Sequence, residues 1–81
     1  MAHDRLVMVV DALLYSRTLT QAGHTRRFQI RHAKDRWEVQ ESRDAEVVRQ
    51  VRLDDWHRVE RARLVFQLAS VRLEENGWTA E

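Results

Sequence analysis

The spacing of hydrophobic and polar positions along the 81-residue chain changes character twice. The first apolar run, Leu6 to Tyr15, is interrupted only by Asp11 and fits two elements. Val7, Val9 and Val10 favour a strand, whereas Leu6, Val9, Val10, Leu13, Leu14 and Arg17 fall on one side of a helix. Length favours a helix from about Arg5 to Arg17, ending before Thr18-Leu19-Thr20, with Gly23 in the turn that follows. From Arg26 the period becomes two. Phe28, Ile30 and His32 alternate with Arg27, Gln29 and Arg31, and Trp37, Val39 and Glu41 alternate with Glu38 and Gln40, which predicts two strands joined through Ala33-Lys34-Asp35. A third strand is expected at about Glu46 to Leu53, after the loop Ser42-Arg43-Asp44. Its pattern is irregular: Val47, Val51 and Leu53 would face the core with Arg49 among them and Val48 would point out, as at a sheet edge or a bulge.

The last segment returns to a helical period. Asp54 or Asp55 supplies an N-cap oxygen, and Val59, Ala62, Phe66, Ala69 and Leu73 recur at three and four residues. Gly77 suits the left-handed position that closes a helix, and Trp78 would then lie against Leu73. A second apolar stripe, Leu64, Leu68 and Val71, lies roughly opposite the first, where a helix that only covered a sheet would be polar. Two coverings satisfy it: the expected first helix, or a partner chain that meets Leu64, Leu68 and Val71 with Arg61, Arg72 and Glu75 around the rim. These elements predict a small single α+β domain over residues 1–81, in the order α-β-β-β-α, with residues 1–4 and 79–81 as loose ends. A three-stranded antiparallel sheet packs on the long C-terminal helix. The expected core is Phe28, Ile30, Trp37, Val39, Val47, Val51, Val59, Phe66, Ala69 and Leu73.

Composition narrows the function. With no Cys there is no disulfide framework, thiolate nucleophile or finger-type zinc site, and a cytoplasmic setting is expected. The ten-residue apolar run is too short to cross a bilayer, which needs about 20 residues. Asp4 offsets Arg5 ahead of the run, and no small-residue cleavage site follows it, so it does not read as a signal peptide. A domain of this length gains only about 3–5 kcal/mol from one core, which favours self-association. The 14 basic residues are thirteen Arg and one Lys, Lys34, against 13 acidic ones. Residues 1–36 carry seven basic and three acidic groups, +4, and residues 37–81 carry seven and ten, −3. Arg43, Arg58, Arg61, Arg63 and Arg72 are interspersed with carboxylates, which leaves Arg26, Arg27, Arg31 and Arg36 as the basic cluster.

Candidate chemistry is sparse. His57 and Glu60 share a helix face near Asp54, a metal-like or acid–base spacing, but no further residue completes a site, and Asp54 is explained as a cap. Ser16, Ser42 and Ser70 lie in no nucleophile elbow, and the two glycines form no phosphate-cradling loop. The chain therefore reads as a non-enzyme with no metal, no cofactor and no evident small-molecule substrate.

Helix, three strands, helix is the topology of the double-stranded-RNA-binding domain, but Ala33-Lys34-Asp35 lacks that family's Gly-Pro-x-His loop. The last helix opens on Asp54-Asp55 rather than on lysines, so the family's binding residues are not carried over. Three antiparallel strands backed by one helix also resemble, in architecture, the sheets of AP2-type and integrase-type DNA-binding domains. That resemblance implies an exposed face of Arg27, Gln29, Arg31, Gln40, Gln50 and Arg52, flanked by Arg26, able to meet base edges and phosphates, with Glu38 in its midst. Cross-strand pairing of Arg27 or Arg31 with Glu38 on a solvated face accounts for the same residues. The expected function is a small interaction module, a homodimer or a partner subunit, that binds through Leu64, Leu68 and Val71; nucleic-acid binding by the Arg/Gln face is the alternative.

Overall fold

The computed structural model describes residues 11–81. Asp11–Gln21 forms β1, His24–Ala33 β2, Arg36–Arg43 β3 and Glu46–Leu53 β4; the helix α1, Trp56–Glu75, follows, and Thr79–Ala80 forms β5. All five strands lie in one antiparallel sheet in the order β4-β3-β2-β1-β5. This corrects the α-β-β-β-α expectation: the sheet has five strands, and one helix is present among the described residues. The α+β class stands.

The error lies in the first element. The expected helix over Arg5 to Arg17 is a strand from Asp11 onward, and its part at residues 5–10 lies outside the described residues. From Tyr15 the pattern is strand-like: Tyr15, Arg17, Leu19 and Gln21 take one face of the sheet, and Ser16, Thr18 and Thr20 the other. Leu13 stands opposite Arg31 but Tyr15 opposite Ile30, which makes Leu14 the extra residue of a β-bulge. The bulge interrupts the period of two at Leu13-Leu14, two of the residues that fit one side of a helix. Partners decide the matter: β2 pairs with β1 along its length, so the backbone groups that a helix would have satisfied internally are satisfied across strands.

The hairpin turns use left-handed residues. Ala22 and Gly23 have φ of 51° and 81°, and Asp44 and Ala45 have 52° and 69°, the paired positive values of type I′ turns. The β3–β4 turn is pinned to β2: Asp44 N–H donates to the Thr25 carbonyl at 2.8 Å, and Thr25 N–H donates to Asp44 Oδ1 at 2.9 Å.

α1 lies against one face of the sheet, and the core forms between them from Leu19, Phe28, Ile30, Val39, Val59 and Phe66. Phe66 stacks between Phe28 and Tyr15, with centroids 4.9 and 6.3 Å away. At the start of the helix Trp56 packs on Trp37 at 5.2 Å. Trp37, Ala69 and Leu73 flank the core half-buried, as does Val51. Val47, expected inside, is exposed: it stands opposite Ser42 and Arg49 opposite Glu41, so Val48 is the extra residue of a second bulge, which turns Val47 off the core face. Leu19, expected in a connection, is fully buried.

Both helix ends form as their sequences specify. Asp55 accepts from His57 N–H at 3.0 Å. Trp78 N–H reaches the Leu73 carbonyl at 3.0 Å and Gly77 N–H the Glu74 carbonyl at 3.1 Å, the two bonds of a Schellman motif. Residues 79–81, expected as a loose end, are tied to β1, because the Schellman turn aims the chain along it: Thr79 pairs with Thr20, Ala80 with Leu19, and Glu81 N–H donates to the Thr18 carbonyl at 2.9 Å. The other expected loose end, residues 1–4, lies outside the described residues.

Candidate functional site

Three surfaces come out of this arrangement. The first is the sheet face turned away from α1. Register brings the expected side chains together in rows: Gln29, Gln40 and Gln50 lie side by side across β2, β3 and β4, and Arg31, Glu38 and Arg52 form the adjacent row. Glu38 sits between two guanidinium groups, 3.5 Å from Arg31 and 3.6 Å from Arg52. Arg27 donates to Thr18 Oγ1 at 3.3 Å. One expected member is elsewhere. Arg26 lies on the opposite face, beneath α1, where its guanidinium pairs with Glu41 at 3.0 Å and approaches the Phe28 ring to 5.7 Å. The alternation of the strand dictates this: Arg26 shares the side of Phe28 and Ile30, and Arg27 the side of Gln29 and Arg31. The outward face carries no aromatic ring among the described residues; Tyr15, Phe28 and Trp37 all occupy the helix-facing side of the sheet.

The second surface is the outer side of α1. Leu64 and Leu68 are each 60% exposed and Val71 49%, so the stripe opposite the core is open as spaced in the sequence. Val65, 52% exposed, widens it toward β4 and was absent from the sequence-based set. Arg61, Arg72 and Glu75 are exposed around it. The expected covering helix is not what residues 11–14 form, since these lie in β1.

The third is a groove of about 300 Å³ between β4 and α1. Val39, Val51, Leu53, Ala62 and Phe66 form its floor and Val65 its wall, with Arg49, Arg58 and Arg61 as the only charged residues in its lining among the described residues. None of the three arginines makes an ion pair among the described residues. The sequence held a signal for this site: Arg49 alternates with Val51 and Leu53, and Arg58, Arg61 and Val65 fall on one side of a helix at three- and four-residue spacing. What it lacked was the position of β4 beside that side of the helix.

The groups that suggested chemistry remain apart. No cluster of three or more His, Asp or Glu that could hold a metal ion occurs among the described residues. Asp55 rather than Asp54 accepts the cap hydrogen bond, and His57 and Glu60 are exposed. The Asp44 carboxyl is held below its ordinary range, through the Thr25 N–H bond first and then its bond to His24 Nδ1 at 3.2 Å. Both side chains are more than half exposed, and the contact fastens a turn. No helix among the described residues is long and apolar enough to cross a membrane.

No protein-family model matches the chain, and none of the curated proteins or solved structures compared with it matches either.

Proposed function

We propose that the protein is a small non-enzymatic interaction module, acting in the cytoplasm, that binds a second copy of itself or a partner subunit through the outer stripe of α1. The observation that carries this reading is the contiguous set Leu64, Val65, Leu68 and Val71, each about half or more exposed, on a helix whose opposite side already forms the core. Contiguous exposed apolar side chains rimmed by charge are the usual mark of an interface. Arg61, Arg72 and Glu75 supply both signs around it, which suits pairing across a two-fold axis. Sedimentation equilibrium over a dilution series tests the self-association form. Wild type should associate and Leu68→Glu should be monomeric with an unchanged fold; a wild-type monomer at high micromolar concentration rules that form out and leaves the partner-subunit form.

A second reading is supported by the in-register rows of the sheet's outward face. Arg27, Gln29, Arg31, Gln40, Gln50 and Arg52 share it, and such side chains meet base edges and phosphates. The Glu38 pairs and the lack of a stacking ring weigh against it. Fluorescence anisotropy of a labelled duplex at about 50 mM salt decides: this reading requires binding that weakens steeply with salt and with Arg31→Ala.

A further inference from the structure

We propose that the groove between β4 and α1 seats an extended segment of another protein, carrying acidic side chains around an apolar one, which adds to the sheet along the open edge of β4. The inference goes beyond the helix-stripe reading, because it concerns the β4 edge and a different occupant, although the two surfaces meet at Val65 and Arg61.

Three observations meet at this place. Among the described residues β4 hydrogen-bonds to β3 on one side only, so alternate residues of β4 turn backbone N–H and C=O groups outward with no described strand to receive them. The bulge at Val48 disturbs the first turn of the strand, but from Arg49 to Leu53 the register is regular and can template another strand. Immediately beside that edge lies the groove, whose apolar floor includes Val39 at 6% and Phe66 at 5% exposure and whose wall is Val65. A strand added to β4 directs every second side chain to the helix-facing side of the sheet, over that floor.

Charge selects the occupant. Arg49, Arg58 and Arg61 rim the groove, and among the described residues no carboxylate lines it and none of the three is engaged in an ion pair. A second copy paired β4 to β4 would bring two such sets of guanidinium groups together, which disfavours it. A nucleic acid would satisfy the arginines but leave the apolar floor and the strand edge without partners. An extended acidic and apolar segment satisfies all three: carboxylates for the rim, one aliphatic side chain for the floor, and a backbone for the edge.

The test uses a fluorescein-labelled peptide, Ser-Glu-Thr-Val-Thr-Glu-Ser, whose alternate positions present Glu, Val and Glu to one side, and its counterpart with Lys in place of both Glu. With the full-length protein, the acidic peptide should raise fluorescence polarisation and shift amide resonances in Arg49–Leu53 and Arg58–Val65. It should also slow hydrogen exchange at alternate β4 amides. The lysine peptide should not bind, and Arg58→Glu or Arg61→Glu, with circular dichroism unchanged, should weaken the acidic peptide roughly tenfold or more. Leu68→Glu should leave peptide binding intact, which separates failure of this site from failure of the helix stripe. Equal binding of both peptides, shifts confined to other faces, or no response at millimolar acidic peptide would overturn the proposal. So would a duplex that displaces the peptide while shifting the same groove resonances, because the site would then be an anion site rather than a strand-addition site.

Discussion

The Arg26–Glu41 pair offers the sharpest check on how this fold is held. The two side chains meet at 3.0 Å between the sheet and α1, with only 21% and 17% of their surface exposed. Arg26 Nε is buried without a hydrogen-bond partner among the described residues. At such a separation unit charges attract by about 5–6 kcal/mol in an effective dielectric near 20, and much of that is offset by the loss of hydration. Removing one partner of a fully buried pair costs about 3–5 kcal/mol; with about a fifth of each side chain still wet, Glu41→Gln should cost about 2 kcal/mol. In a domain of this size that lowers the melting temperature by roughly 8–16 °C. Replacing both residues by apolar ones, Arg26→Met with Glu41→Met, should return stability to within about 1 kcal/mol of wild type, because no charge is then stranded under the helix. The assay is urea unfolding at one fixed protein concentration, with Arg26→Met and Glu41→Met alone closing a double-mutant cycle with the double variant, and with Arg31→Gln as a surface control expected to change stability by about 0.5 kcal/mol or less. The reasoning fails if Glu41→Gln lies within about 0.5 kcal/mol of wild type or if the double variant is no more stable than the single one. The same variants bear on function: Arg26→Met should leave any duplex binding unchanged, since Arg26 faces away from the Arg/Gln surface.

Further outcomes follow from single residues. Phe66→Ala should cost about 3–5 kcal/mol in chemical denaturation, since Phe66 is 5% exposed and joins Phe28 to Tyr15 in the core. Ala45→Gly should stabilise the β3–β4 turn by several tenths to about 1 kcal/mol by the same measurement, because Ala45 sits at φ 69°, where a Cβ is penalised. Gly77→Ala should destabilise by at least about 1 kcal/mol: its φ is +98°, and an added Cβ would stand 2.7 Å from Gln21 Nε2, which itself donates to the Asn76 carbonyl. Asp44 has a lowered folded pKa, so its contribution to stability is present above the ordinary carboxylate value of about 4 and is lost as the pH falls through the lower folded value. A carboxyl-detected NMR titration should place Asp44 below that ordinary value, and Thr25 N–H exchange should accelerate in Asp44→Ala.

Much of the fold was legible because it rests on local chemistry. The period of two over Phe28–His32 and Trp37–Glu41 marks β2 and β3, and Asp55 and Gly77 with Trp78 bound α1 through hydrogen bonds that span only a few residues. The outer stripe of α1 was legible for the same reason, since Leu64, Leu68 and Val71 recur at helical spacing and are exposed. Where two elements satisfied one pattern, the sequence did not choose. Leu13-Leu14 fits a helix side and a bulged strand equally well, and Val47-Val48 fits a core strand and a bulged edge.

Those choices belong to the tertiary structure, because they depend on partners distant in the chain. β2 makes β1 a strand by taking up its backbone hydrogen bonds, and β1 in turn gives the chain end at Thr79–Ala80 something to pair with. Alternation placed Arg26 and Arg27 on opposite faces and the β2–β3 register set Arg26 diagonal to Glu41, but only the seating of α1 made that face an interior. The groove exists for the same reason: Arg49 is near Arg58 and Arg61 because a helix folds back beside an edge strand, and the period of neither element records that distance. Periodicity therefore determined which residues share a face, and packing determined what each face meets.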